Sequence, residues 1–110
     1  MIEGFWIVQF DGLQGNGAGV AVFIRGKVFG GDSGSTYIGT YEVTGRTVKA
    51  EVRVHNYVAG VQSIIGIEGD YDLRVVGDIE DGIIRASGSA PGKQVAGMAL
   101  RLTRTAALPE

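Results

Sequence analysis

Gly30-Gly31-Asp32-Ser33-Gly34-Ser35-Thr36-Tyr37-Ile38-Gly39-Thr40-Tyr41 is the stretch that decides the fold. Its Gly-Gly-Asp corner suits a sharp turn, because glycine reaches positive φ at little steric cost and an aspartate side chain caps its own turn. The Tyr-x-Gly-x-Tyr that follows has period two. Tyr37, Gly39 and Tyr41 therefore share one face of a strand, with a glycine gap between two rings. This predicts a curved all-β wall.

The same grammar runs outward in both directions. The 19 glycines are spread along the chain and separated by aliphatic and β-branched runs, which excludes a glycine-rich linker and favours strands with tight turns. Eight strands are predicted, over residues 4–11, 17–25, 27–31, 35–44, 47–56, 70–77, 82–90 and 94–103. Arg25-Gly26-Lys27, Thr44-Gly45-Arg46, Glu80-Asp81-Gly82 and Ala90-Pro91-Gly92-Lys93 read as turns short enough to join antiparallel neighbours. Residues 57–68 are the exception: Val58, Val61, Ile64 and Ile65 suit one side of a short helix, or a lid over a barrel end. The expected architecture is all-β, a single eight-stranded antiparallel meander barrel of lipocalin type. It occupies residues 1–110 as one domain, with a short C-terminal tail.

Alternation assigns the faces. Val48, Ala50, Val52 and Val54 alternate with Lys49, Glu51, Arg53 and His55, an apolar-in, polar-out pattern. Trp6, Val8 and Phe10 oppose Phe5, Ile7 and Gln9, and Tyr71, Leu73 and Val75 oppose Asp70, Asp72 and Arg74. Residues 20–24, Val-Ala-Val-Phe-Ile, are apolar on both faces. An uncovered apolar outer face is unusual for a monomer, so a two-fold homodimer through Ala21 and Phe23 is expected. A barrel of this size holds a packed interior or one small ligand. Small residues at Ala50, Ala86, Gly88 and Ala96 favour a void. If it exists, Trp6, Tyr37, Tyr41, Ala50, Tyr71 and Met98 line it, and a lipid-like acyl or aromatic molecule suits it.

Composition excludes several classes. Ten basic against twelve acidic residues give a net charge of −2, with no basic field for direct nucleic-acid binding. Without cysteine there is no disulfide or thiolate site, which fits a cytoplasmic location. No apolar run is long enough to span a membrane, and the N-terminal residues lack a signal-peptide pattern. The loop at 12–19 is glycine-rich but leads into a β-branched strand rather than a helix, so it reads as a hairpin and not a phosphate cradle. His55, the only histidine, sits on the polar face of its strand, and the acidic pairs Asp70/Asp72 and Glu80/Asp81 lie on an exposed face and in a turn. No catalytic or metal-ligating constellation converges, so neither an enzyme nor a cofactor is expected.

Three motifs taken together resemble the GrlR family, small bacterial negative regulators of type III secretion gene expression. They are Gly30-Gly31-Asp32 with Tyr37-x-Gly39, Val54-His55-Asn56-Tyr57, and residues 63–73, Ser-Ile-Ile-Gly-Ile-Glu-Gly-Asp-Tyr-Asp-Leu. The likeness covers roughly residues 4–78 and includes Gly4-Phe5-Trp6 with Phe10. It implies a dimeric lipocalin-like barrel with an apolar interior suited to a lipid-like ligand. It also implies action by sequestering a transcriptional activator through an acidic loop. The family's Glu-Asp-Glu-Asp run is replaced here by Glu42-Val43-Thr44-Gly45-Arg46, so that loop does not carry over. The remaining readings are a regulator that binds a protein client and a carrier or sensor of small molecules without one. In the first, residues 57–68 are the candidate moving part.

Overall fold

Two-residue connections at 25–26, 45–46 and 81–82 fold this chain tightly back on itself. At Arg25-Gly26 both residues have positive φ (49° and 79°), the primed turn whose twist matches that of the flanking strands. The computed structural model describes residues 2–12, 15–59, 67, 69–93 and 97–109. It contains β1 (Gly4–Gly12), β2 (Gly15–Ile24), β3 (Lys27–Gly31), β4 (Ser35–Thr44), β5 (Thr47–Asn56), β6 (Tyr71–Glu80), β7 (Ile83–Ser89) and β8 (Met98–Ala106). Each strand pairs antiparallel with its sequence neighbour, and β8 returns to β1, closing the barrel. The all-β eight-stranded meander predicted from the sequence is the observed fold.

Register then fixes which side chains face inward. Trp6 and Val8 of β1, Val48, Ala50, Val52 and Val54 of β5, Leu73 of β6 and Leu102 of β8 are buried, while Phe10, Val75 and Leu100 are partly buried against them. No charged or polar side chain belongs to the buried core of the described residues. The glycine between the two tyrosines has a steric cause. A Cβ on Gly39 would lie 2.0 Å from the Glu51 carbonyl oxygen and 2.8 Å from the Val52 Cα. β4 and β5 approach each other too closely there for any side chain.

One end of the barrel is sealed by aromatic packing. The Phe23 ring meets Trp6 edge-on at 5.8 Å and Tyr41 edge-on at 5.1 Å, a geometry that suits the ring quadrupoles. Below them the N-terminal segment turns across the opening, with Ile2 buried and its carbonyl accepting a 2.9 Å hydrogen bond from Trp6 Nε1. Glu3 anchors that segment, its carboxylate accepting from the Arg25 amide and its carbonyl from the Arg104 guanidinium.

Three expectations are corrected. Ala21 and Phe23 do not form an outer face: both are buried inside the barrel, and the outer face of β2 is Val20, Val22 and Ile24. The cause is crowding. Inner positions of β2 lie beside large rings, so a Cβ at Gly17 would stand 2.7 Å from Phe10 Cε1, and one at Gly19 would stand 2.9 Å from the Tyr37 hydroxyl. The last strand begins at Met98 and runs to Ala106, because Met98 is the first residue in register with β7, opposite Gly88. Residues 94–96, Ala96 among them, lie outside the described residues. The helix considered for 57–68 is absent at 57–59 and 67, which are coil, bend or turn, and 60–66 and 68 lie outside the described residues.

Candidate functional site

The end of the barrel opposite the aromatic seal contains a cavity of about 390 Å³, within the size range of small-molecule sites (about 300–1,000 Å³). Its walls are residues of seven strands, all but β7, with Phe23 on the sealed side and Val52, Val54 and Leu73 on the flank. The connections β1–β2, β3–β4, β5–β6 and β7–β8 all lie at this end. Small residues make the space. Ala21 and Ala50 line it, and a Cβ on Gly88 would already touch Leu73, Met98 and Leu100 at 3.2–3.3 Å.

Of the six residues expected to line a cavity, Tyr37, Ala50, Tyr71 and Met98 do so. Trp6 and Tyr41 do not; both rings are engaged by Phe23 in the aromatic seal. They share a face with the cavity residues but lie too deep along the barrel axis.

A polar corner stands at the mouth, and sequence reasoning identified only half of it. Asp32 was read as a turn residue, and it is one. Its Oδ1 accepts from the amides of Gly34 (2.9 Å) and Ser35 (2.8 Å), and its own amide donates to the Ser35 carbonyl. Its Oδ2 accepts a hydrogen bond from the Tyr37 hydroxyl, and Asp32 itself lines the cavity. Burial first, then the hydrogen bond to Asp32 and its negative charge, push the Tyr37 phenol above its ordinary range. It therefore stays protonated and donating. Tyr57, at the start of the β5–β6 connection, reaches over the same turn. Its hydroxyl donates to the Asp32 carbonyl at 2.6 Å, and its amide to the Gly34 carbonyl at 3.0 Å.

The far end of that connection is pinned beside its start. Asp70 accepts from the Asn56 amide at 3.0 Å and faces His55 Nδ1 at 2.9 Å. A carboxylate only accepts, so Nδ1 carries the proton in this contact. The His55 hydrogen bond, followed by the Asn56 amide, holds the Asp70 carboxyl below the usual carboxylate range. His55 and Asp70 stand on the outer wall, where the sequence placed them.

The outer wall is divided. Over β5–β7 it carries cross-strand ion pairs, Arg53–Asp72, Arg74–Glu51 and Arg85–Glu80, all more than half exposed. Over β1–β4 it carries an apolar band between the exposed polar residues Gln9, Lys27, Thr40 and Glu42. Phe5, Val22, Phe29 and Ile38 form one continuous cross-strand row, and Ile7 pairs with Val20 beside it. Phe29 is 44% and Ile38 57% exposed.

No family model and no curated protein matches this chain. Among the described residues, no helix is long and apolar enough to cross a membrane, and no three acidic, histidine or cysteine side chains gather as a metal site.

Proposed function

We propose that this chain is a small regulatory binding protein that holds an apolar ligand in its barrel and acts, without catalysing a reaction, by contact with another protein. The observation that carries the ligand is the cavity: about 390 Å³, walled by aliphatic and aromatic side chains, at one end of a barrel sealed at the other. Such a void holds water poorly. Burying roughly 200 Å² of apolar ligand surface contributes on the order of 5 kcal/mol before entropic costs, enough for weak to moderate binding. The resemblance to the GrlR family supports the regulatory half, with a transcriptional activator as the class of client. The ligand gates that contact where Tyr57 meets the β3–β4 turn: Asp32 lines the cavity and its carbonyl accepts from the Tyr57 hydroxyl, so an occupant that moves Asp32 disturbs that bond.

Titration with the neutral, polarity-sensitive dye Nile red tests the cavity. Wild type is expected to bind with a blue shift in emission. Ala50→Phe, which fills the void from its wall, weakens binding at least about tenfold while the barrel still melts cooperatively. Equal binding by Ala50→Phe and wild type would place the dye elsewhere and remove the reading.

The protein contact includes a second copy of the chain. The Phe5–Val22–Phe29–Ile38 row is the observation that favours a homodimer through the outer face of β2, with Val22 on that face where the sequence suggests Ala21 and Phe23. Phe29→Glu sets a charge in the middle of that row. It is expected to cost about 2 kcal/mol or more of association, roughly thirty-fold in Kd. Sedimentation of wild type and variant checks this, and a monomeric wild type at every concentration refutes it.

A further inference from the structure

The polar corner at the mouth restricts what the head of a ligand can be. The donors of the Asp32 turn itself are spent on Asp32, while the Asn16 side-chain amide also lines the cavity. The Gly34 and Ser35 amides point to Oδ1, the Tyr37 hydroxyl to Oδ2, and the Tyr57 hydroxyl to the main-chain carbonyl. What the corner still offers is acceptor capacity: the lone pairs of the Tyr37 oxygen and those of the Asp32 carboxylate not used by the turn. The Ser33 and Ser35 hydroxyls beside it are neutral and rotate to suit either role.

Charge points the same way. Among the described residues that line the cavity there is no lysine, arginine or histidine, and Asp32 is the one ionisable carboxylate. Among the described residues, the connections at this end contain Asp11, Asp32 and Asp70 against Lys93. Lys93 is exposed, and His55 faces outward and is engaged with Asp70. An incoming carboxylate therefore meets a carboxylate without a countercharge, in a site whose apolar walls screen poorly.

We infer that the barrel takes an amphiphile whose polar end donates hydrogen bonds, an alkyl or aryl amine or alcohol, and discriminates against fatty acids of the same chain. The inference rests on the cavity reading above. The apolar body fills the space over Phe23, and the donating head stays at the mouth against Asp32 and Tyr37. This revises the acyl ligand expected from sequence: the tail suits the walls, while an acid head does not suit the corner.

Displacement of Nile red by three ten-carbon competitors tests it: decan-1-amine, decan-1-ol and decanoate. The amine and the alcohol are expected to displace the dye, with decanoate weaker by at least about tenfold. Asp32→Asn keeps an oxygen for the Gly34 and Ser35 amides but removes the charge and adds a donor. It should bring decanoate to within about threefold of decanol. Tyr37→Phe removes one acceptor but frees the Asp32 Oδ2 that its hydroxyl occupies, so the amine and the alcohol should still displace Nile red better than decanoate. Decanoate displacing as well as decanol from wild type, or an unchanged selectivity in Asp32→Asn, overturns the head-group assignment alone. Failure of wild type to bind Nile red overturns the cavity reading and this inference with it.

Discussion

Gly39→Ala lowers the melting temperature by at least about 10 °C, the consequence of losing roughly 3 kcal/mol in a chain of this length. The added methyl has nowhere to go. Its position lies 2.0 Å from the Glu51 carbonyl oxygen and 2.9 Å from the Glu51 carbonyl carbon, both main-chain atoms of the paired strand. A flexible side chain would swing aside, but here β4 must move off β5, and the Gly39–Val52 register is lost with it. Gly34→Ala is the matching control. Its nearest neighbour is the Asp32 carboxylate at 4.0 Å, so the change should stay within about 0.5 kcal/mol. Thermal unfolding followed by far-ultraviolet circular dichroism compares the two, and equal melting temperatures would refute the steric account of Gly39.

Trp6→Ala is expected to cost about 3–5 kcal/mol, among the largest effects of a single substitution in this barrel. Trp6 is 1% exposed and belongs to the seal, so its removal leaves a hole that the neighbours cannot close. Phe23 loses its edge-on partner, and the Ile2 carbonyl loses its donor. Trp6→Phe separates the two parts, since it keeps most of the ring and removes the indole N–H. Urea unfolding of both variants should place Trp6→Phe well above Trp6→Ala in stability, and equal losses would mean that the hydrogen bond, not the packing, holds the seal.

The parts of the fold that were legible in the sequence are those where alternation is chemical as well as geometric. In β5 the charged residues Lys49, Glu51 and Arg53 leave no choice of inner face. In β2 both faces are apolar, so alternation alone does not say which face Phe23 takes. The deciding contacts come from elsewhere in the chain, the Phe10 ring over Gly17 and the Tyr37 hydroxyl over Gly19, and no local pattern encodes them. The candidate site divides in the same way. Face assignment found Tyr37, Ala50, Tyr71 and Met98, but depth along the barrel axis depends on stagger between distant strands, so Trp6 and Tyr41 were placed a layer too high. Asp32 was legible as a turn former. Its second role depends on the Gly30–Tyr37 pairing, which folds the strand back so that the phenol reaches the carboxylate.

Closure of the ladder has a consequence for how this molecule is read by others. With β8 hydrogen-bonded to β1 the ladder is closed, but among the described residues the Gly15–Gly19 half of β2 pairs with β1 and not with β3, which leaves a short edge open to strand addition. Along each strand, residue parity then becomes a partition of information. In β5 the even positions, 48 to 54, write the interior, and the odd positions, 49 to 55, write the outer surface. Neither text constrains the other through shared atoms. Such a wall can change one face while the other stays as it is.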